Sequence, residues 1–203
     1  MSEVRELHVK GLAFKTVLSS VQRLRGADGL SHLMAELPPE LREKLEYGYI
    51  VKGGWYPAAW YKALLQAIVT STGEGRDLIR QVGGECSRQD LTGVYRVFTR
   101  LLSPQTLFSG AMRLFKSYYD QGQVWVVKAR SGAAQAVWRD CHGFDQNMWD
   151  EVLGSVTAIL ELGGATDVRL RIVTGGGDGD SHMEAWAYWN QPAAGLWPSA
   201  GAR

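Results

Sequence analysis

Apolar residues recur at intervals of three and four along most of the first 120 residues, which is the spacing of one face of an α-helix. The pattern predicts a helix over residues 14–24 that ends at Gly26, and a second helix that begins at Pro38. A third predicted helix opens at Trp55, carries a strongly aromatic face, and ends at Gly73. The N-terminal part of the chain is therefore predicted to be helical.

Two more helical patterns complete this part of the chain. One runs over residues 76–102 and is interrupted only by glycines. It ends at Ser103, which is followed by a proline, and this pair is typical of the start of a helix. The next predicted helix covers residues 105–119.

The periodicity changes from helical to alternating after residue 120. Residues 124–130 and 134–141 are rich in β-forming side chains and are separated by a short turn, which predicts a hairpin. Asp145 can cap the amphipathic helix that follows. Residues 168–173 alternate strictly between apolar and polar, and residues 183–189 form a second strand after a glycine-rich loop. The order of elements in this half is ββαββ.

These elements predict an α+β fold in which N-terminal helices pack on a four-stranded antiparallel sheet. We expect one domain over residues 1–190, with a helical part at 10–120 and the ββαββ part at 121–190. Residues 191–203, rich in Pro, Gly and Ala, are expected to form a flexible tail.

The charge of the chain is nearly balanced, with 22 Lys and Arg against 21 Asp and Glu. A balanced chain produces no general field that attracts phosphate backbones, so we expect no nucleic-acid partner. The charge is unevenly distributed: residues 1–120 carry 16 basic and 12 acidic side chains, whereas residues 121–203 carry 6 and 9. The difference indicates two differently built halves, or simply two solvated surfaces.

Targeting and redox signals are absent from the sequence. Cys86 and Cys141 lie far apart, and the N-terminus has no apolar run typical of a signal peptide. Every apolar segment is interrupted before the roughly 18 residues needed to cross a bilayer. We therefore expect a cytoplasmic protein without a membrane span.

The strings that resemble catalytic or metal-binding motifs are incomplete. The glycine-rich loop at residues 175–181 is not followed by a helix, so it does not predict nucleotide binding. Three weak metal candidates could meet at strand ends, but zinc needs about four ligands, so we expect no metal; they are Cys141, His142 and His182. The neighbouring carboxylates Asp150 and Glu151 are expected on the solvated side of their helix. No Ser/His/Asp motif is present, and no catalytic residue is predicted.

Aromatic residues exceed what a core of this size needs, with eight Trp, eight Tyr and five Phe. Tyr and Trp have polar ends that require partners. Two interpretations remain open: the aromatic residues line an apolar ligand cavity, or they pack the core and a subunit interface.

Several segments of the sequence resemble those of one protein family. They are LPPELREKL, GGWYPAAWYKALLQAI, LTGVYRVFTRLL, LFKSYYDQGQVWV and GFDQNMWDEVLGSVTAILELGGATDVRLRIVTGGGDGDSHMEAWAYW. Across residues 10–189 the chain resembles a paralogous family of bacterial proteins that is expanded in myxobacteria. Its later half is similar to the vinyl-4-reductase ligand-binding domain, which is related to haem-NO-binding domains and to the small subunits of the TRAPP tethering complex.

The resemblance implies helices packed on an antiparallel sheet, with a small molecule, lipid or haem held between them, or a dimeric assembly unit. Zinc-binding relatives have a cysteine pair where this chain has Thr174 and His182. The helix-borne proximal histidine and the Tyr-x-Ser-x-Arg motif of haem-NO-binding domains are also missing. The resemblance therefore implies no zinc and no haem, and we expect no cofactor.

Together, the aromatic residues and the resemblance predict a non-catalytic cytoplasmic sensor or regulatory domain that encloses an apolar or aromatic small molecule. The expected ligand-binding residues are Trp60, Tyr61, Leu64, Tyr95, Phe98, Tyr119 and Trp138. A homodimer is expected. One alternative is a dimeric protein–protein interaction scaffold without a ligand. Another is a tetrapyrrole-related enzyme, which rests on fold analogy with a related domain.

Overall fold

Helices form the first part of the chain and a four-stranded antiparallel sheet forms the last, as the hydropathy pattern predicts. The computed structural model describes residues 5–92, 104–111 and 114–190. In chain order the elements are β1 (His8–Lys10), α1 (Gly11–Glu36), α2 (Pro39–Glu46), β2 (Trp55–Pro57), α3 (Ala58–Thr72), α4 (Arg76–Thr92), α5 (Pro104–Ala111), α6 (Phe115–Tyr118), β3 (Gln123–Arg130), β4 (Ala133–Arg139), α7 (Gln146–Leu162), β5 (Thr166–Gly175) and β6 (Met183–Asn190). No helix within these residues is long and apolar enough to cross a bilayer.

The first three helices are present, with two differences from the predicted bounds. The first helix does not end at Gly26, where φ is 72°; it kinks there and continues as α1. A residue without a Cβ tolerates that backbone conformation, so the glycine bends the helix instead of ending it. Trp55 lies in β2, which pairs antiparallel with β1, and α3 begins only after Pro57. Gly73 ends α3 in the left-handed conformation, as expected.

The two helical patterns after α3 are described in part. The described part of the predicted helix 76–102 is α4, and residues 93–103 lie outside the described residues. The described parts of the predicted helix 105–119 are α5 and the short α6, residues 112–113 lie outside the described residues, and the helix does not reach Tyr119. That residue has an extended backbone and forms an isolated antiparallel bridge with Val9.

The ββαββ prediction is confirmed. The strands have the order β3-β4-β6-β5, and each neighbouring pair is antiparallel. The β3–β4 turn contains Gly132 at a φ of 73°. Asp145 caps α7 by accepting a hydrogen bond from the backbone N–H of Met148 at 2.9 Å.

The helix α7 is buried on almost every side, because it packs against α4, α5, α3 and β5. The prediction that Asp150 and Glu151 are solvated is therefore wrong: both side chains are buried. The Asp150 carboxylate forms ion pairs with Arg80 at 2.8 Å and with Arg76 at 3.4 Å. Glu151 faces the interior of the helical part.

The α4 and α7 backbones touch at glycines. A Cβ on Gly83 would lie 2.1 Å from the carbonyl oxygen of Glu151, and a Cβ on Gly154 would lie 2.0 Å from that of Arg80. Only glycine permits an approach this close. The crossing fixes which side chains of the two helices meet.

Candidate functional site

A partly open cavity of about 90 Å³ lies between the helices and strand β4. Its apolar lining consists of Ala13, Leu91, Leu114, Phe115, Trp138, Val152, Val156 and Ile159. Its polar lining consists of Thr16, Tyr61, Cys86, Ser87, Asp90, Tyr118, Tyr119, Glu151 and Ser155. The cavity therefore joins an apolar wall to a concentration of titratable groups.

Glu151 is the central polar group of the cavity. The hydroxyl of Tyr119 donates a hydrogen bond to its Oε2 at 2.8 Å. Burial raises the pKa of the carboxyl from 4.5 to about 7, although hydrogen bonding from Tyr119 and Tyr61 partly opposes the rise. The hydroxyl of Tyr61 lies close enough to influence that pKa, but it does not form a hydrogen bond of normal geometry. Glu151 consequently changes protonation state near neutral pH.

Burial also raises the pKa values of the other titratable groups that line the cavity. Burial and the nearby Glu151 raise the pKa of the Cys86 thiol, and the same two causes raise that of the Tyr119 phenol. On the adjacent wall, Tyr118 donates a hydrogen bond to Asp90 Oδ2 at 2.6 Å, and burial raises the pKa of this carboxyl. A thiol in this state is a weak nucleophile and a weak metal ligand.

Two buried donors in the cavity lack a hydrogen-bond partner within the described part of the chain. They are the hydroxyl of Tyr61 and the indole N–H of Trp138. Buried polar groups are nearly always paired, and an orphaned donor costs about 1–3 kcal/mol. The described residues provide no acceptor for Trp138, and the nearby Glu151 carboxylate meets the Tyr61 hydroxyl only at a poor hydrogen-bond geometry.

The local sequence explains why these groups meet. On α4, Cys86 and Asp90 are four residues apart and share a face. The glycine crossing places that face opposite Glu151 of α7. Tyr119 reaches the same carboxyl because the chain becomes extended after α6.

Three of the expected ligand-binding residues line this cavity, namely Tyr61, Tyr119 and Trp138. Trp60 is not among the described lining residues: its ring lies beneath the Nζ of Lys44, 5.2 Å from the ring centre. Leu64 is buried in the core away from the cavity lining, and Tyr95 and Phe98 lie outside the described residues.

Sequence reasoning missed Glu151, Asp90 and the placement of Cys86. The signal that could have revealed them is the run of small residues on the same side of α7 as Glu151, including Gly154 and Ser155. Small residues on one side of a helix indicate that another helix passes close to it, and a carboxylate beside them is then buried.

The structure places two of the weak metal candidates in different surroundings. The backbone N–H of Cys141 donates to the carbonyl of Ser181 at 2.8 Å, and burial raises the pKa of the Cys141 thiol to about 12. His142 lines a surface cleft beside Asp120. Across residues 5–92, 104–111 and 114–190, no three His, Cys, Asp or Glu side chains form a group able to hold a metal ion.

Comparison with known proteins gives likeness in structure only. No protein-family model matches the chain, and no curated protein matches it. The fold is similar to that of an Fe(II) unliganded H-NOX protein from K. algicida, with a TM-score of 0.66 and 13% identity over 92% of this chain and 100% of that one. An oxygen-binding H-NOX domain related to soluble guanylate cyclases gives a TM-score of 0.65 and 12% identity over 94% of this chain and 100% of that one. A variant of the T. tengcongensis H-NOX gives a TM-score of 0.61 and 12% identity over 91% of this chain and 99% of that one. The chain therefore has the fold of H-NOX domains.

Proposed function

We propose that this protein is a non-catalytic cytoplasmic sensor or regulatory domain that encloses a small apolar or aromatic molecule in the cavity around Glu151. The observation that carries the proposal is a cavity whose wall holds the buried, unpartnered indole N–H of Trp138 and the Tyr61 hydroxyl, which has no hydrogen bond of normal geometry. The fold supports it, because at least one domain of similar structure is an oxygen-binding H-NOX domain.

The cavity limits the size and chemistry of the ligand. Its volume of about 90 Å³ is below the range of about 300–1,000 Å³ that drug-sized ligands occupy. An engineered apolar cavity of about 150 Å³ holds benzene, so the ligand is at most a single ring, and a ring requires the lining to expand. An oxygen acceptor on the ligand would satisfy Tyr61 or Trp138, while Val152, Val156 and Ile159 would contact its apolar part.

The residues that line the cavity do not fit a haem, the group named for one H-NOX structure of similar fold. Haem iron is held by a histidine, a thiolate, a methionine or a phenolate. None of the described lining residues is a histidine, and the raised pKa values of Cys86, Tyr61 and Tyr119 oppose thiolate or phenolate formation. All four histidines of the chain are elsewhere: His8, His32, His142 and His182.

An enzymatic function retains one supporting observation. A carboxyl with a pKa of about 7 suits general acid–base catalysis, and Glu151 is such a group. A tetrapyrrole is much larger than the cavity of about 90 Å³, however, so a tetrapyrrole-related reaction is poorly supported. The absence of an activated nucleophile at Cys86 also favours binding over covalent chemistry.

The dimeric-scaffold alternative is favoured by an exposed apolar patch near α2 and β2. It comprises Tyr47, Tyr49, Val51 and Trp55, which are 41–69% exposed. Contiguous exposed aromatic residues are typical of interaction surfaces. Light scattering distinguishes this alternative: a dimer that the double substitution Tyr47→Glu and Tyr49→Glu converts to a monomer would support it.

The proposed ligand site is tested with the purified protein. Denaturing mass spectrometry reports any copurified small molecule, and thermal denaturation with phenol as a probe reports occupancy of the cavity. We expect phenol to raise the melting temperature saturably. Val156→Phe fills the cavity and should abolish the shift, whereas Val168→Phe, on the half-buried face of β5, should leave it unchanged.

Two results would contradict the proposal. One is the absence of both a copurified molecule and a saturable phenol effect. The other is a phenol effect that Val156→Phe leaves intact. Strong visible absorption of the Soret type after haemin addition, retained through gel filtration, would overturn the conclusion about haem.

A further inference from the structure

The solvent-facing side of the sheet repeats one chemical pattern in two neighbouring rows. In the first row, Lys128 of β3, Gln135 of β4, Trp186 of β6 and Arg171 of β5 are register partners. Partners directly opposite each other on antiparallel strands share a face, so these side chains lie side by side. We call this side of the sheet the outer face.

The second row lies two residues along the strands. It consists of Arg130, Ala133, Tyr188 and Arg169, again as register partners across β3, β4, β6 and β5. Each row therefore has a cation at either edge and an aromatic ring on β6. Alternate residues of a strand are about 6.7 Å apart, which sets the spacing of the two rows.

Positive charge is concentrated on this face although its half of the chain is acidic overall. Residues 121–203 contain six basic side chains, and register and alternation place all except Arg203 on the outer face: Lys128, Arg130, Arg139, Arg169 and Arg171. Among the described residues, two acidic groups also lie on this face: Asp167 pairs with Arg169 at 3.6 Å, and Glu184 accepts a hydrogen bond from Gln135. The other carboxylates of this half lie outside the two rows.

The aromatic rings between the cations are accessible. Tyr188 is 37% exposed, and its ring lies 5.8 Å from that of Trp186 with an angle of 16° between the planes. Trp125, at 45% exposure, adds a third ring on the outer face of β3. Large exposed rings between cations are costly to hydrate and therefore suggest a planar, anionic partner.

We propose that the outer face binds single-stranded nucleic acid, with bases stacked on Trp186 and Tyr188 and phosphates contacted by the flanking cations. Stacking accepts any base, and cations track the backbone, which is how single strands are bound without strict sequence preference. Four-stranded sheets that present aromatic rings are used in this way by RNA-binding modules. A symmetric dimer through this face is disfavoured, because it would oppose cations with cations.

The proposal concerns a surface separate from the cavity and does not depend on the proposed ligand. It differs from the expectation of no nucleic-acid partner, because that expectation used the net charge of the whole chain. The charge that a strand of phosphates meets is the local one, which Lys128, Arg130, Arg169 and Arg171 set.

Fluorescence anisotropy with a labelled oligouridylate tests this site. We expect binding at about 50 mM salt that weakens as salt increases to about 200 mM. Trp186→Leu retains an apolar side chain but removes the stacking surface, and it should weaken binding at least about five-fold. Arg171→Gln should reduce the slope of log affinity against log salt by about 0.7, the value for one phosphate contact on a single strand.

Two control variants make the same kinds of substitution, aromatic to leucine and cation to glutamine, at positions outside the outer face. Tyr47→Leu and Lys52→Gln alter an exposed ring and an exposed cation outside the outer face, and they should change affinity less than about two-fold. Circular dichroism and melting temperature establish that each variant is folded.

Four results would overturn the proposal: no binding at low salt, unchanged affinity in Trp186→Leu, equal losses in the controls, or tighter binding of a duplex. Displacement of the oligonucleotide by polyglutamate as effectively as by unlabelled oligouridylate would also overturn it. That last outcome would identify the outer face as a site for acidic protein.

Discussion

Replacing Glu151 with glutamine should make this protein more stable at alkaline pH while changing little at acidic pH. Glutamine has the shape of the protonated carboxyl and retains an oxygen that accepts the Tyr119 hydroxyl. It cannot ionise, so it removes the cost of burying a charge. The substitution therefore isolates the contribution of one proton.

The size of the effect follows from the pKa. Folding raises the pKa of this carboxyl from 4.5 to about 7, so the folded state binds more protons than the unfolded state between these values. The contribution of protonated Glu151 to the free energy of unfolding is fully present below pH 4.5, decreases as the pH rises toward 7, and is lost above that value. One pKa unit corresponds to about 1.36 kcal/mol, so about 2–3 kcal/mol is lost between pH 5 and pH 8.

Urea denaturation of both proteins between pH 5 and pH 8 measures this directly. The difference in unfolding free energy should be within about 1 kcal/mol at pH 5, and should favour Glu151→Gln by about 2–3 kcal/mol at pH 8. Glu36→Gln, at an exposed position of α1, serves as the control and should run parallel to the wild type. If the curves for Glu151→Gln and wild type are parallel as well, burial does not raise this pKa and the account of the cavity is wrong.

Three further predictions concern α5 and α7. Gly154→Ala places a Cβ against the Arg80 carbonyl and should destabilise the fold by about 1–3 kcal/mol, whereas Gly110→Ala, which meets no atom within 4 Å, should stabilise it by about 0.5–1 kcal/mol. Asp145→Ala removes the α7 cap and should cost about 0.5–2 kcal/mol in urea denaturation. Asp150→Asn should lower the free energy of unfolding by about 1–2 kcal/mol, a modest loss because the two arginine partners are about half exposed. High salt should reduce this loss, and a loss that does not depend on salt would refute the ionic explanation.

The sheet was the most predictable part of the molecule. Strict alternation in residues 168–173 and the short turn before Ala133 were sufficient to predict a hairpin and a second pair of strands. Local periodicity determines these elements, as in β6, where buried residues alternate with more exposed ones. The cap at Asp145 is equally local and was predicted correctly.

The site was less predictable because it depends on contacts between distant segments. The aromatic surplus led to Tyr61, Tyr119 and Trp138, which the fold brings together at one cavity. Glu151 was expected in solvent, since a carboxylate on an amphipathic helix usually is. Its burial follows from Gly83, about 70 residues earlier in the chain, and single-helix periodicity does not contain that information.

The glycine contact between α4 and α7 also determines how the molecule can respond to an occupant of the cavity. The two backbones are already touching at Gly83 and Gly154, so these helices form a rigid side of the cavity. An occupant that exceeds the free volume would displace the rest of the lining, which includes Tyr119, and Tyr119 links the cavity to strand β1 through its bridge with Val9. Breaking the hydrogen bond between Tyr119 and Glu151 would release that link. A displacement at the cavity would then be transmitted to strand β1, because α4 and α7 are already in contact and cannot move closer together.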